Sequence, residues 1–192
     1  RELKALSTDV LERDHPFVYF PLPTQPELTT ECQAGQYIDV LTAVEKVSLL
    51  LPDDWIVCLK EHRLQYENAR DPVFFQRLRS IPKVVVTHAD APAYDLMKRS
   101  QWVATINGTS GFEALHFGKS VLNFGSMYYN GLTGVTVYAH NTTMDDVTSN
   151  KPDKVTCERE IGELMGRMET GVVNESYSKS FDDYDHEENS TR

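Results

Sequence analysis

Five short apolar runs, each separated from the next by a stretch of helical spacing or a tight polar turn, constrain this chain more than any other feature. The runs are Phe17–Leu22 (FVYFPL), Trp55–Lys60 (WIVCLK), Lys83–Thr87 (KVVVT), Trp102–Ile106 (WVATI) and Val121–Phe124 (VLNF). They are rich in β-branched and aromatic residues and end at proline, glycine or a polar cluster, as buried strands do. Between them, Gln36–Leu51 places Ile38, Leu41, Val44, Val47 and Leu51 at helical spacing and stops before Pro52. Pro72–Ile81 gathers Phe74, Phe75 and Leu78 on one face, and Ala93–Arg99 and Gly111–Gly118 read as further helices. Strands alternating with helices over short links predict an α/β protein with a parallel sheet covered on both faces. The expectation is a single Rossmann-like domain over residues 1–170 with a mainly parallel five- or six-stranded sheet. Val135–Ala139 supplies the sixth strand and Cys157–Met168 a closing helix. Residues 171–192 read as an acidic, flexible tail with too few apolar side chains to fold.

In an open sheet of this kind, ligands bind outside the carboxyl ends of the strands. The polar and glycine-rich clusters fall on that rim: Pro21–Thr30, Glu61-His62-Arg63, His88-Ala89-Asp90, Asn107–Ser110 and Gly125–Tyr129. Asn107-Gly108-Thr109-Ser110-Gly111 joins a strand to a helix, so free N–H groups and the positive end of the helix dipole meet two hydroxyls there. Such a turn suits an anion, usually phosphate. A simple helix-capping turn reads the same residues equally well. There is neither a GxGxxG nor a Walker lysine.

Composition narrows the partners. A net charge of −10 argues against nucleic acid and anionic membrane surfaces, while Lys60, His62 and Arg63 still allow a local basic pocket. No apolar run is long enough for a transmembrane helix. The 3 cysteines, Cys32, Cys58 and Cys157, lack metal-ligand spacing. Cys58 reads as a buried thiol in a reduced, cytoplasmic setting. Asp183-Tyr184-Asp185 is formally a DxD but sits in the acidic tail, and Asp145-Asp146 reads as a surface turn, so no catalytic metal is predicted.

Several motifs in order resemble the bacterial capsular polysaccharide biosynthesis family. They are Tyr19-Phe20-Pro21-Leu22 with Gln25-Pro26-Glu27 and Thr29-Thr30, Leu59-Lys60-Glu61-His62, Arg70 with Pro72, Phe75 and Leu78, and Gly108-Thr109-Ser110-Gly111-Phe112-Glu113-Ala114-Leu115. Gly118-Lys119-Ser120-Val121-Leu122 and Phe124-Gly125 with Tyr128-Tyr129 complete the set. The resemblance runs from about Val18 to Tyr129 and extends to Kdo-transferase-like glycosyltransferases of GT-B type. It implies the C-terminal-type, donor-binding half of such an enzyme, transferring a sugar from a nucleotide sugar to a growing surface or capsular polysaccharide.

The resemblance also implies roles. His62 and Glu27 are the catalytic candidates, with the general base on an absent domain. Gln25, Thr29, Thr30, Lys60, His62, Asn107, Gly108, Thr109, Ser110, Gly111 and Glu113 would bind the donor, with Glu113 on the ribose hydroxyls. Arg63 stands where the family's His-Pro motif has proline. The implied partners are a nucleotide sugar (CMP-Kdo by analogy only), a polysaccharide or glycan acceptor, and a second Rossmann-like domain in the same or a partner chain. No cofactor or metal is implied, and the expected location is the cytoplasm, including the inner membrane face through partners. Two alternatives are a non-catalytic glycan- or nucleotide-binding module of polysaccharide assembly or export, and a nucleotide-sugar epimerase.

Overall fold

The computed structural model describes residues 7–12, 14–63, 65 and 70–168. Its strands are β1 (Ser7–Thr8), β2 (Phe17–Pro21), β3 (Ile56–Lys60), β4 (Val84–Thr87), β5 (Val103–Thr105), β6 (Val121–Asn123) and β7 (Val135–Val137). The helices are α1 (Leu28–Gln33), α2 (Val40–Leu50), α3 (Pro72–Ser80), α4 (Ala93–Arg99), α5 (Thr109–His116), α6 (Met144–Ser149) and α7 (Lys154–Met165). All strand pairings are parallel, in the order β1-β4-β3-β2-β5-β6-β7. The expected Rossmann-like parallel sheet is therefore present. The two-residue edge strand Ser7–Thr8, too short to leave a sequence pattern, extends it to seven strands.

Side chains alternate across the sheet and build a core on each face. Val18, Phe20, Val57, Leu59, Ala104 and Leu122 pack beneath α2 and α3 with Leu41, Val44, Val47, Phe75 and Leu78. Phe17, Tyr19, Cys58, Val103 and Val121 point the other way, onto Leu96 and Met97 of α4, Ala114 and Leu115 of α5, and Cys157 of α7. Burial on both faces explains why the strands read as continuous apolar runs.

Three local details differ from expectation. Residues within the expected Pro21–Thr30 loop wind into α1, whose N-cap residue Glu27 makes no side-chain cap bond, so the usual start signal is missing. Helix α2 begins at Val40 and not at Gln36, because Asp39 caps it by accepting from the Leu41 N–H at 3.2 Å, and Gly35–Tyr37 forms a separate 3₁₀ turn. Asp145 and Asp146, expected as a surface turn, open α6: the Thr143 hydroxyl accepts from the Asp146 N–H at 3.2 Å, and the Asp146 carboxylate accepts from the Thr143 N–H at 2.7 Å. No helix among the described residues is long and apolar enough to cross a membrane. The expected tail from 171 and its Asp183-Tyr184-Asp185 lie outside the described residues.

Candidate functional site

Strand order reverses between β2 and β5, which are neighbours although α1–α4, β3 and β4 lie between them in sequence. The crevice at this switch point is bordered by the chain after Pro21 and the chain after Thr105. Register places Pro21 beside Lys60, Thr105 beside Asn123, and Asn123 beside Val137. The last residues of β3, β4, β5 and β6 are Lys60, Thr87, Thr105 and Asn123, and all four are buried. By alternation from Cys58, Val103 and Val121, Lys60, Thr105 and Asn123 lie on the α5 face. A polar band thus replaces the apolar core where the strands reach the rim.

The turn from Asn107 to Gly111 rises from this band. Gly108 is the N-cap of α5, in extended conformation and with no side chain to cap the helix. Its N–H donates to Thr105 Oγ1 at 3.2 Å, and its carbonyl accepts from the Tyr129 hydroxyl at 2.6 Å. Tyr129 also explains Gly111, where a Cβ would sit 2.5 Å from the phenol oxygen. Burial, followed by the neighbouring Tyr128, pushes the Tyr129 phenol above its ordinary range, so it stays a neutral donor to Gly108. Two polar atoms here, Asn107 Nδ2 and Ser110 Oγ, are buried without a hydrogen-bond partner. Leaving such a group unpaired costs about 1–3 kcal/mol.

Glu113 lies one turn further along α5, half-buried, and accepts from the Thr109 hydroxyl at 3.4 Å. Its carboxylate raises the pKa of both Tyr19 and Tyr128, after burial as the larger cause in each case.

The β2–β3 side of the rim is held by a buried ion pair. Arg70 Nε donates to Glu61 Oε2 at 3.1 Å and Nη2 donates to Glu61 Oε1 at 3.2 Å. The same guanidinium donates to the Pro23 carbonyl at 2.8 Å and to Gln25 Oε1, and it lies over the Phe74 ring, 4.9 Å from its centroid. Gln25 Nε2 donates to the Ile38 carbonyl at 2.7 Å, so both ends of the Gln25 amide bond within the chain. Lys60 points to the opposite face. Burial lowers its pKa and Arg63 adds to this, against the opposing pull of Asp90 and Glu61.

The residues singled out from sequence fall into three places. Asn107, Gly108, Thr109, Ser110, Gly111 and Glu113 fall in one segment at the start of α5, with Asn107 and Gly111 buried and Thr109 exposed. Lys60 belongs to the buried band, while His62 and Arg63 are exposed beyond β3. Gln25 is part of the Arg70 network, Glu27 is exposed at the start of α1, and Thr29 and Thr30 lie on α1, with the Thr30 hydroxyl buried and unpartnered. Helix α1 reaches across the rim: the Ser126 N–H donates to the Gln33 carbonyl at 2.9 Å. A Cβ at Gly125 would lie 2.4 Å from the Ile106 carbonyl oxygen and 2.9 Å from that of Gln33. Sequence reasoning passed over the Arg70–Glu61 pair and the anchoring role of Tyr129. Their signal was present as motif residues, but nothing in the spacing joined them.

The ordered motifs and this rim agree with a match of the capsule polysaccharide biosynthesis protein family to residues 1–168. The chain belongs to that family. No curated protein matches it. Among solved structures it is similar to the β-Kdo 2,7 transferase of Thermosulfurimonas dismutans KpsC, at 16% identity over 80% of this chain and 54% of that one, with a TM-score of 0.49. It is also similar to the β-Kdo 2,4 transferase of the same protein, at 15% identity over 80% and 53% with a TM-score of 0.43. A putative UDP-N-acetylglucosamine 2-epimerase from Listeria monocytogenes matches at 14% identity over 86% and 39%, with a TM-score of 0.41. The chain spans about half the length of the first two of these structures.

Proposed function

We propose that this capsule-family chain is the donor-binding half of a GT-B-type glycosyltransferase, which transfers a sugar from a nucleotide sugar to a growing surface polysaccharide. The observation that carries the reading is the start of α5: an uncapped helix end at the switch point, with two buried donors, Asn107 Nδ2 and Ser110 Oγ, lacking partners. A donor phosphate seated there meets the helix dipole, first-turn N–H groups and both side-chain donors. As the glycosidic bond to the donor breaks, charge gathers on the leaving phosphate, and fixed dipoles in a half-buried site stabilise it without reorganisation. Lys60 and Arg63 add positive charge at the end of β3, and His62 can hydrogen-bond a phosphate. Glu113, four residues beyond Thr109, is suited to accept from ribose hydroxyls.

In this reading the acceptor and its general base belong to a second Rossmann-like domain, in the same chain or a partner, and transfer needs no metal. Glu27, exposed at the start of α1, is the carboxylate of this half assigned to assist the acceptor. A second reading, a nucleotide-binding module without transferase activity, is favoured by Gln25, whose amide is engaged at both ends by its own chain.

Calorimetric titration with CMP, UDP, GDP and their sugar conjugates tests the proposal. One of them binds with micromolar affinity, and Glu113→Ala weakens it roughly 10- to 150-fold, the equivalent of about 1.5–3 kcal/mol for a hydrogen bond to a charged group. No binding of any nucleotide to the folded protein overturns it. Sugar transfer on adding the second domain separates the enzyme from the accessory module.

A further inference from the structure

A second cavity lies on the other face of the sheet from α5. It has a volume of about 220 Å³ and opens between the 3₁₀ turn, α2 and the chain leaving β7. Lys46 and His140 line it together with Tyr37, Tyr138, Gln36 and Thr42, and its lining contains no carboxylate. In a chain of net charge −10, a recess with two basic groups and no acid is a local reversal of sign. On the adjoining chain Asp39 and Glu45 both pair with Arg77, and Asp39 Oδ2 also accepts from the Thr42 hydroxyl of the lining at 3.3 Å. Lys46 and His140 have no ion-pair partner among the described residues.

The walls are preorganised. Tyr138 stacks on Phe124 with centroids 4.6 Å apart, and Tyr37 meets both rings edge-on at 4.9 and 5.9 Å. Gln36 Nε2 donates to the Tyr37 hydroxyl at 3.0 Å, which leaves the phenol proton free to donate into the cavity. Burial raises the Tyr37 pKa, the Gln36 hydrogen bond opposes it and Tyr138 adds a smaller rise, so the net shift is upward and the proton is retained. The volume is below the roughly 300–1,000 Å³ of drug-sized ligand sites, so the recess suits one small ring and not a nucleotide.

We infer that this cavity is a subsite for a single carboxylated sugar residue, with the carboxylate on Lys46 and His140 and the hydroxyls on Tyr37, Gln36 and Thr42. Its use as a glycan subsite rests on the polysaccharide role proposed above, but the binding itself does not. An aromatic wall beside a cation and several hydroxyl partners distinguishes a charged sugar from a bare anion.

The test is an NMR titration of the whole chain with D-glucuronate, D-glucose and inorganic phosphate, following the Tyr138 and His140 ring signals. Glucuronate shifts both saturably and binds at least tenfold more tightly than either glucose or phosphate. Lys46→Met, whose fold is checked by its amide spectrum and thermal unfolding, weakens glucuronate at least fivefold. Tyr138→Leu weakens it as well and serves as the second variant. Equal binding of glucose and glucuronate, phosphate as tight as glucuronate, or no saturable shift overturns the inference. Nucleotide titration of the same samples, read at the Gly108–Gly111 amides, keeps the two proposals apart. Loss of one response with the other intact removes only the reading it belongs to.

Discussion

Replacing Arg70 with methionine keeps an unbranched apolar stem and removes the cation that ties Glu61, Gln25 and Pro23 together. The Arg70 and Glu61 side chains are only 5% and 8% exposed, so the carboxylate left behind has little access to water. Among the described residues it keeps the His62 N–H, at 2.9 Å, as a hydrogen-bond partner. Removing one member of such a buried pair costs about 3–5 kcal/mol, because an uncompensated charge stays in the interior. For a protein of this size each kcal/mol lowers Tm by about 2–4 °C, so Arg70→Met is expected to unfold roughly 6–20 °C earlier. Urea denaturation reads the same loss as a lower midpoint at unchanged slope. The double variant Glu61→Gln with Arg70→Met removes the stranded charge and is expected to cost clearly less than the sum of the single variants. A loss below about 1 kcal/mol for Arg70→Met, or strict additivity, would refute the claim that this pair holds the rim together.

Gly125→Ala drives a Cβ against two backbone carbonyl oxygens that cannot move aside, and is expected to destabilise by more than about 2 kcal/mol. Gly131→Ala, where a Cβ meets nothing within 4 Å, serves as its neutral comparator in thermal unfolding. Of the cysteines, Cys32 is exposed while Cys58 and Cys157 are buried, so a thiol reagent at pH 8 modifies Cys32 rapidly and the other two only after unfolding. Burial pushes the Cys58 thiol from 9.0 up to about 12; the neutral form is favoured in the fold, so stability present below pH 9.0 is lost progressively toward about pH 12. Hydrogen bonds from Thr143 and Thr156 hold Asp146 and Asp153 below their ordinary 3.8. Their capping is therefore complete above pH 3.8 and lost as pH falls through the lower folded values. Protection of the Thr143 and Thr156 amides, which donate to these two carboxylates, should fall in hydrogen exchange, corrected for intrinsic rates, over that acid range and not near neutrality.

The sheet was legible because strands buried on both faces leave continuous apolar runs, and Phe17–Leu22 and Trp55–Lys60 cannot be solvated any other way. The turn at Asn107–Gly111 was legible for a related reason: glycine and hydroxyl residues directly after a strand have few other uses. What escaped depended on distance. Glu61 and Arg70 read as a rim residue and a helix entry until the fold placed one guanidinium over both Gln25 and Glu61. Tyr129 looked like one more aromatic, since nothing local links it to a carbonyl 21 residues earlier. Helix α1 was missed because Glu27 supplies no cap bond and Pro26 signals a loop. The basic cavity joins Lys46 of α2 to His140 after β7, and no sequence period connects them.

The start of α5 is proposed to seat the phosphate of a nucleotide sugar. Backbone amide NMR of the whole chain, titrated with CMP, UDP and GDP and their sugar conjugates, examines that surface residue by residue. Saturable shifts centred on the Gly108, Thr109, Ser110 and Gly111 amides are expected for at least one nucleotide, with Ser110→Ala weakening the response. Saturable nucleotide shifts confined to another part of the fold, with these four amides unmoved, would contradict it.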